Sequence, residues 1–422
     1  MLTRWIWRLR DATRQLWFTV AVYSLVGIVT ALSALVLDPL IPMDVPSKIG
    51  ADAVDRILGI LASSMLAVTT FSIATMVQAF ASAGSGATPR ATQLLVEDRT
   101  AQRALATFIG TFVFSLVSII ALSTGLYGPS GRFVLFVVTL VVITVIILTL
   151  LRWIDRLSKL GRVGETVDQV ERVTTAAARA RRKRPYLGGH PAVKVPAGTE
   201  PVAASRIGYV DRIDMGTLSA IAKAQDCEVH VHLLPGGFAT PDRPLASLSK
   251  QPDDNTAERV RKAFNVGDAR SFDQDPRFGL IVLAEIASRA LSPAVNDPGT
   301  AIDVIGTAVR VLHEWSLPDE TEEGDEVDFP GVYVPPLTAQ ELVQDVFTPV
   351  GRDGASLVEV CIRLQKALRS IAAMNSPGLR AAARRQAVEA FERGEAQLAH
   401  EHDRQRLRDA SAWLRDDRAQ NP

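Results

Sequence analysis

Along this chain, long stretches of apolar and small hydroxyl side chains alternate with short stretches that collect the charges. Four apolar stretches occupy residues 17–37, 57–80, 104–126 and 133–151, and none contains Asp, Glu, Lys, Arg or His. Each is close to the roughly 20 residues a helix needs to cross about 30 Å of hydrocarbon. In the last, sixteen of nineteen residues are Val, Ile, Leu or Phe, worth roughly −0.3 to −0.6 kcal/mol apiece near a bilayer centre. Four such runs split by charged loops read as four spans, not as buried helices of a soluble core.

Beyond residue 151 the pattern changes. A helical, charge-rich stretch over 152–184 predicts that the fourth span continues as a stalk, roughly 45 Å long at 1.5 Å per residue. Residues 185–200, rich in Gly and Pro, read as a linker. Residues 201–265 predict a small α/β unit: strand 205–213, helix 217–225, strand 227–234, a turn at Pro235-Gly236-Gly237 and a short strand near Leu245. Helical patterns fill 266–422. The expected fold is thus an α-helical membrane domain of four transmembrane helices (residues 1–163), followed by a cytoplasmic α+β domain that is mostly helical with a small α/β unit.

Charge then orients the spans, because Lys and Arg near span ends stay on the cytoplasmic side. One side gathers Arg4, Arg8, Arg10, Arg14, Arg90, Arg99, Arg103, Arg152, Arg156, Lys159 and Arg162, and the other only Lys48, Arg56 and Arg132. Both termini are expected in the cytoplasm, in a multi-pass protein of the plasma (inner) membrane with the lipid bilayer as its first partner. Hydrophobic residues make up 47% of the chain and charged ones 22%, so the charge must sit mostly outside the spans. Cys227 and Cys361 are the only cysteines, which fits a reducing compartment and leaves no disulfide framework.

Within the second span, Ser63, Ser64, Thr70, Thr75 and Gln78 fall on one helical face at 100° per residue. Such a face can line a wet path or let helices pack closely. No span carries the intramembrane charge that pumps and ion-coupled carriers use. After this span, Thr88 reads as an N-cap with Pro89 in the first turn, leading into a helical stretch over 91–103, and Arg90 stands where it can hold a lipid phosphate or a carboxylate.

Further candidates lie in the cytoplasmic part. Glu228, His230 and His232 alternate with Val229, Val231 and Leu233, which describes the polar face of a strand or a metal-binding face. Arg179, Arg181, Arg182, Lys183 and Arg184 read as a solvated helix end. Asp275-Pro276-Arg277-Phe278-Gly279 leads into a helix over 280–291, and Ser292-Pro293-Ala294-Val295-Asn296-Asp297-Pro298 leads towards another over 302–315, with Asn296 or Asp297 as its cap. Arg289, Ser292, Asn296 and Asp297 converge there on a corner that is either a capping turn or a ligand or domain contact.

These strings resemble a family of bacterial integral membrane proteins without an assigned function. Phe71-Ser72, Thr88-Pro89-Arg90, Gly208-Tyr209, Ile213-Asp214, Asp275 to Gly279, Arg289-Ala-Leu-Ser-Pro and Asn296-Asp-Pro carry the likeness. Thr88, where Ser is usual, and Gly299, where an aromatic is usual, depart from it. The resemblance implies architecture and no chemistry.

The tail brings an acidic run at 319–328 without EF-hand spacing, an a/d seam of Leu357, Cys361, Leu364, Leu368 and Ile371, and a charged helix from Ser376-Pro377 towards Trp413. There is no P-loop, His-Glu-x-x-His or Gly-x-Ser-x-Gly string, so neither enzyme activity, cofactor, metal nor nucleic-acid partner is expected. Two functions remain: an oligomeric, channel-like or gating protein whose cytoplasmic domain senses a ligand, or a non-conducting scaffold that binds a cytoplasmic partner.

Overall fold

A computed structural model of the protein describes residues 13, 15–37, 51–96, 98–196, 198–318 and 327–416. Arg4, Arg8, Arg10, Arg14, the loop around Asp38, Asp44 and Lys48, and most of the acidic run (319–326) lie outside the described residues. The chain divides into two compact units, Met1–Glu165 and Thr166–Pro422.

In the first unit, α1 (Leu16–Leu37), α2 (Ala51–Gly86), α4 (Arg99–Ser123) and α5 (Pro129–Lys159) are each long and apolar enough to cross a membrane, and short α3 (Pro89–Val96) joins α2 to α4. Large apolar side chains stay on the outside of these helices, among them Leu25, Ile60, Phe71, Val141 and Leu151. That is the reverse of a water-soluble bundle and suits lipid as solvent. Between α1 and α4 the backbones nearly touch: a Cβ on Gly27 would lie 2.5 Å from the Gly110 carbonyl oxygen, and one on Gly110 would lie 2.8 Å from that of Tyr23. Small residues permit such approach where no hydrophobic effect drives helices together.

Two boundaries differ from the sequence expectation. Residues 91–103 are not one helix leading into the third span, because Asp98 stops α3 and caps α4, accepting from the N–H groups of Thr100 (2.8 Å) and Ala101 (3.3 Å). The fourth span does not run on as a continuous stalk either. It ends at Lys159, Gly161 takes a left-handed φ of 81°, and a new helix, α6 (Val163–Lys183), begins. Left-handed backbone suits Gly and ends helices. From Thr166 onward α6 belongs to the core of the second unit, burying Val167, Val170, Thr174, Ala177, Ala178 and Arg181.

The rest of the second unit has a sheet-bearing part and a helical part. In order come β1 (His190–Pro191), β2 (Glu200–Ala203), β3 (Gly208–Ile213), α7 (Met215–Gln225), β4 (Val229–Val231), β5 (Phe238–Ala239), β6 (Pro244–Leu248), α8 (Asp254–Ala263) and β7 (Phe264–Gly267). Then follow α9 (Pro276–Ala290), α10 (Pro298–Ser316), β8 (Val332–Val334), α11 (Ala339–Asp353), α12 (Val358–Ala372), α13 (Pro377–Gln397), α14 (Glu401–Ala410) and α15 (Trp413–Asp416). One sheet has the order β1-β8-β4-β6-β2 and the other β5-β3-β7. The α/β unit is therefore not confined to 201–265: β1 comes from the expected linker, and β8 from the expected helical region. Parallel pairing of β8 with both β4 and β1 sets these long-range partners.

Val229, Val231, Val332 and Val334 join Leu218 and Ile221 of α7 in one core. In α12, Cys361, Leu364, Leu368 and Ile371 are buried, so the seam serves packing within the chain, and burial pushes the Cys361 thiol up to about 11. The charged stretch after Ser376 is three helices, not one, with breaks at Leu398 and Ser411.

Candidate functional site

The second-span polar face lies on the outside of the first unit. Ser63, Thr70 and Gln78 are exposed, and Ser64 and Thr75 half-buried. The hydroxyls donate to carbonyls of their own helix: Ser63 to Gly59 (3.0 Å), Ser64 to Leu61 (3.1 Å), Thr70 to Leu66 (3.0 Å) and Thr75 to Phe71 (2.9 Å). Back-bonding of this kind satisfies a hydroxyl without water. Among the described residues, the enclosed polar groups of α2 are others, Thr69 and Ser72. Ser72 accepts the indole N–H of Trp153 at 3.0 Å, and sequence patterning missed that pair because Trp153 looks like one more apolar residue at the end of a span.

One turn after Trp153, Arg156 bridges two carboxylates. Its Nε donates to Asp98 at 2.6 Å and an Nη to Glu165 at 2.5 Å, and a further Nη contacts Asp98. Asp98 thus serves two elements at once, capping α4 and anchoring α5. At the other end of α3, Thr88 accepts the Arg90 N–H at 3.4 Å, as the expected cap does, and Arg90 itself is exposed.

In the second unit the Asp275–Gly279 string is a keystone. Asp275 is 3% exposed, caps α9 through the Phe278 N–H at 3.2 Å, and accepts two bonds from Arg270, at 2.8 and 2.7 Å. Burial pushes its carboxyl above the usual range, with Arg270 opposing. Pro276 sits in the first turn. Arg277 reaches α11, meeting Asp345 at 2.6 and 3.0 Å and Glu341 at 2.5 Å. Phe278 packs on Phe272, with Arg270 over its ring. Gly279 faces α6, where a Cβ would stand 1.9 Å from Thr174 Oγ1. All five residues have a structural task.

Arg181 was expected in a solvated helix end and is instead 4% exposed. Its guanidinium donates to the Gln274 carbonyl at 3.2 Å, and one Nη finds no acceptor among the described residues. Burial lowers its pKa to about 10, against the opposing field of Asp275. The neighbouring arginines fasten residues of the same unit: Arg179 to Glu314, Arg182 to the Pro318 carbonyl and Arg184 to Asp328.

The corner after α9 is a capping turn. Asp297 accepts from the N–H and hydroxyl of Thr300, at 3.1 and 2.6 Å, which holds its carboxyl below the usual range. Asn296 takes a left-handed φ of 50° with its N–H on the Ser292 carbonyl, and Ser292 bonds back to the Arg289 carbonyl. The Arg289 side chain is exposed.

On the larger sheet, His230 is 2% exposed, contrary to the expected half-exposed polar face, because cross-strand stacking encloses it. Its ring stacks on Tyr333 at 4.9 Å, Tyr333 stacks on His190 at 5.2 Å, and Glu228 lies 3.2 Å from His230 Nε2. His232 meets Ser247 at 2.8 Å, and burial lowers its pKa. Among the described residues no three His, Cys, Asp or Glu side chains gather as a metal site. An open groove of about 720 Å³ borders α9, α11 and α13. Its charged lining is largely engaged already, Asp345 by Arg277, Arg352 by Asp353 and Glu389 by Arg393.

The family profile described as "Predicted membrane protein (DUF2254)" matches residues 13–370. The chain belongs to this family. Uncharacterised proteins of Mycobacterium bovis and Mycobacterium tuberculosis are each 31% identical to it over 134 residues, which is 30% of this chain and 26% of theirs. The chain therefore aligns with about a quarter of the length of these curated relatives. No solved structure matches. For this member of the DUF2254 family, Ser72 has its task in the bond to Trp153, Asp275–Gly279 in joining α9 to α6 and α11, and Asn296-Asp297 in starting α10.

Proposed function

We propose that this DUF2254 protein is a channel-like homo-oligomer of the cell membrane, with both termini in the cytoplasm and the second unit regulating the spans. The observation that carries this reading is the outer face of α2. Gly59, Ser63, Ala67, Thr70 and Ala74 follow one another along an exposed, small and partly hydroxylic stripe bordered by Leu66 and Val77, and a Cβ on Gly59 would meet nothing within 4 Å. Packing among the described residues does not use this face. Small residues favour close helix contact between membrane helices, and α2 helices gathered around an axis would bring Ser63, Thr70 and Gln78 to it. The charge asymmetry across the spans supports the orientation.

Cysteines at Ala67 or Ala74 should cross-link between chains in native membranes, and purified protein in planar bilayers should pass current. Monomer mass in mild detergent without cross-linking would remove the oligomer. Silence under varied ions, voltage and cytosolic solutes would remove conduction. The back-bonding of the α2 hydroxyls favours a second reading, a non-conducting scaffold, since those groups have no need of water. Cross-linked oligomers that carry no current would select it. Neither reading involves catalysis.

A further inference from the structure

We propose that the rim of the membrane unit where α4 begins and α5 ends binds anionic phospholipid headgroups, with Arg103 and Arg152 as ligands. This rests on membrane embedding alone and not on conduction or oligomer formation.

Each described carboxylate at this rim is already committed. Asp98 and Glu165 are held by Arg156, and Asp155 by Lys159 at 2.9 Å. Arg99, Arg103 and Arg152 are exposed, and none pairs with a carboxylate among the described residues. Among the described residues three guanidinium charges are thus left over at one edge.

Their depth follows from the Asp98–Arg156 contact, which sets the level of two consecutive helices joined by a short turn. Arg103 lies five residues into α4 from Asp98, and Arg152 lies four residues back along α5 from Arg156. At 1.5 Å per residue both stand about 6–8 Å to the bilayer side of the ion pair. On α5 the exposed stripe Val141, Val145, Leu148 ends at Arg152. Along this stripe the surface therefore changes from hydrocarbon-compatible to cationic in a single turn, which matches the passage from acyl chains to phosphodiesters. Arg stems can run along acyl chains while the guanidinium reaches the headgroup, and a guanidinium binds phosphate oxygens in pairs. A zwitterionic headgroup carries its own cation and cancels much of this attraction. An anionic one does not.

Full-length protein reconstituted in phosphatidylcholine nanodiscs, with or without phosphatidylglycerol, tests the assignment through its melting temperature. Phosphatidylglycerol should raise the wild-type value by several degrees. The double variant Arg103→Gln/Arg152→Gln should melt with wild type in phosphatidylcholine and lose most of the rise, whereas Arg103→Lys and Arg90→Gln should keep it. An undiminished rise in the double variant, no rise in wild type, or an equal loss in Arg90→Gln would overturn the site. A rise produced by millimolar inorganic phosphate in phosphatidylcholine would assign the arginines to a free oxyanion instead and overturn the lipid.

Discussion

Trp153 and Ser72, 81 residues apart, share a 3.0 Å hydrogen bond between α5 and α2 with both side chains enclosed. Ser72→Ala leaves the indole N–H without an acceptor in an apolar setting. Such bonds in membrane proteins average about 0.6 kcal/mol and reach about 1.7, and the orphaned donor places this one towards the upper end. Trp153→Phe removes the donor along with the bond but also volume. Melting of the purified variants should show Ser72→Ala destabilised by about 1 kcal/mol, and no loss would mean that the bond is not formed.

Gly279→Ala drives a methyl group into Thr174. Overpacking costs about 1–3 kcal/mol, and a 1.9 Å approach to Oγ1 and 2.7 Å to Cβ puts this case at the high end. Thr174→Ala removes Oγ1 and Cγ2 while leaving Cβ, so the double variant should recover only part of the loss. A fully additive double variant would show that the two helices are not in contact.

Arg181→Met should leave the protein as stable or make it more stable near neutral pH. A buried guanidinium with an unmet Nη carries a desolvation cost, and apolar replacements of buried charges are often neutral or stabilising by about 1–4 kcal/mol. Arg181 is depressed to about 10 in the folded state, below its unfolded value. The folded protein therefore sheds this proton first as pH rises, and wild type should gain on the variant above pH 10. Denaturant titrations of both proteins at neutral and alkaline pH check the sign, and a strongly destabilised variant at neutral pH would refute it.

Asp297→Ala should cost about 1 kcal/mol through loss of the α10 cap, whereas Arg289→Ala should stay within about 0.5 kcal/mol. Equal and large effects on stability would show that the corner depends on Arg289 as well as on its cap.

Hydrogen exchange should find the amides around Leu160–Arg162 opening more readily than those in the middle of α5 and α6. Gly161 interrupts the helical ladder there, and helix ends leave backbone groups unpaired. Uniform protection from α5 through α6 would restore the continuous stalk.

How much could be read without coordinates divides along physical lines. The four spans follow from length and the absence of charge, because hydrocarbon leaves no other way to satisfy the backbone. The caps at Thr88 and Asp297 are equally local, each set by a side chain reaching its own helix start within three residues. Local pattern also placed β3, α7, β4 and β6. It could not say which face of an amphipathic or hydroxylic helix meets a neighbour, since periodicity defines a face but not its partner. Hence Ser63 and Thr70 lie outside while Ser72 is enclosed, and Arg181 is buried although the residues beside it bond at the surface. Partners far apart in sequence, Trp153 with Ser72, Arg156 with Asp98, Thr174 with Gly279 and β8 with β4, exist only once the chain has folded back on itself.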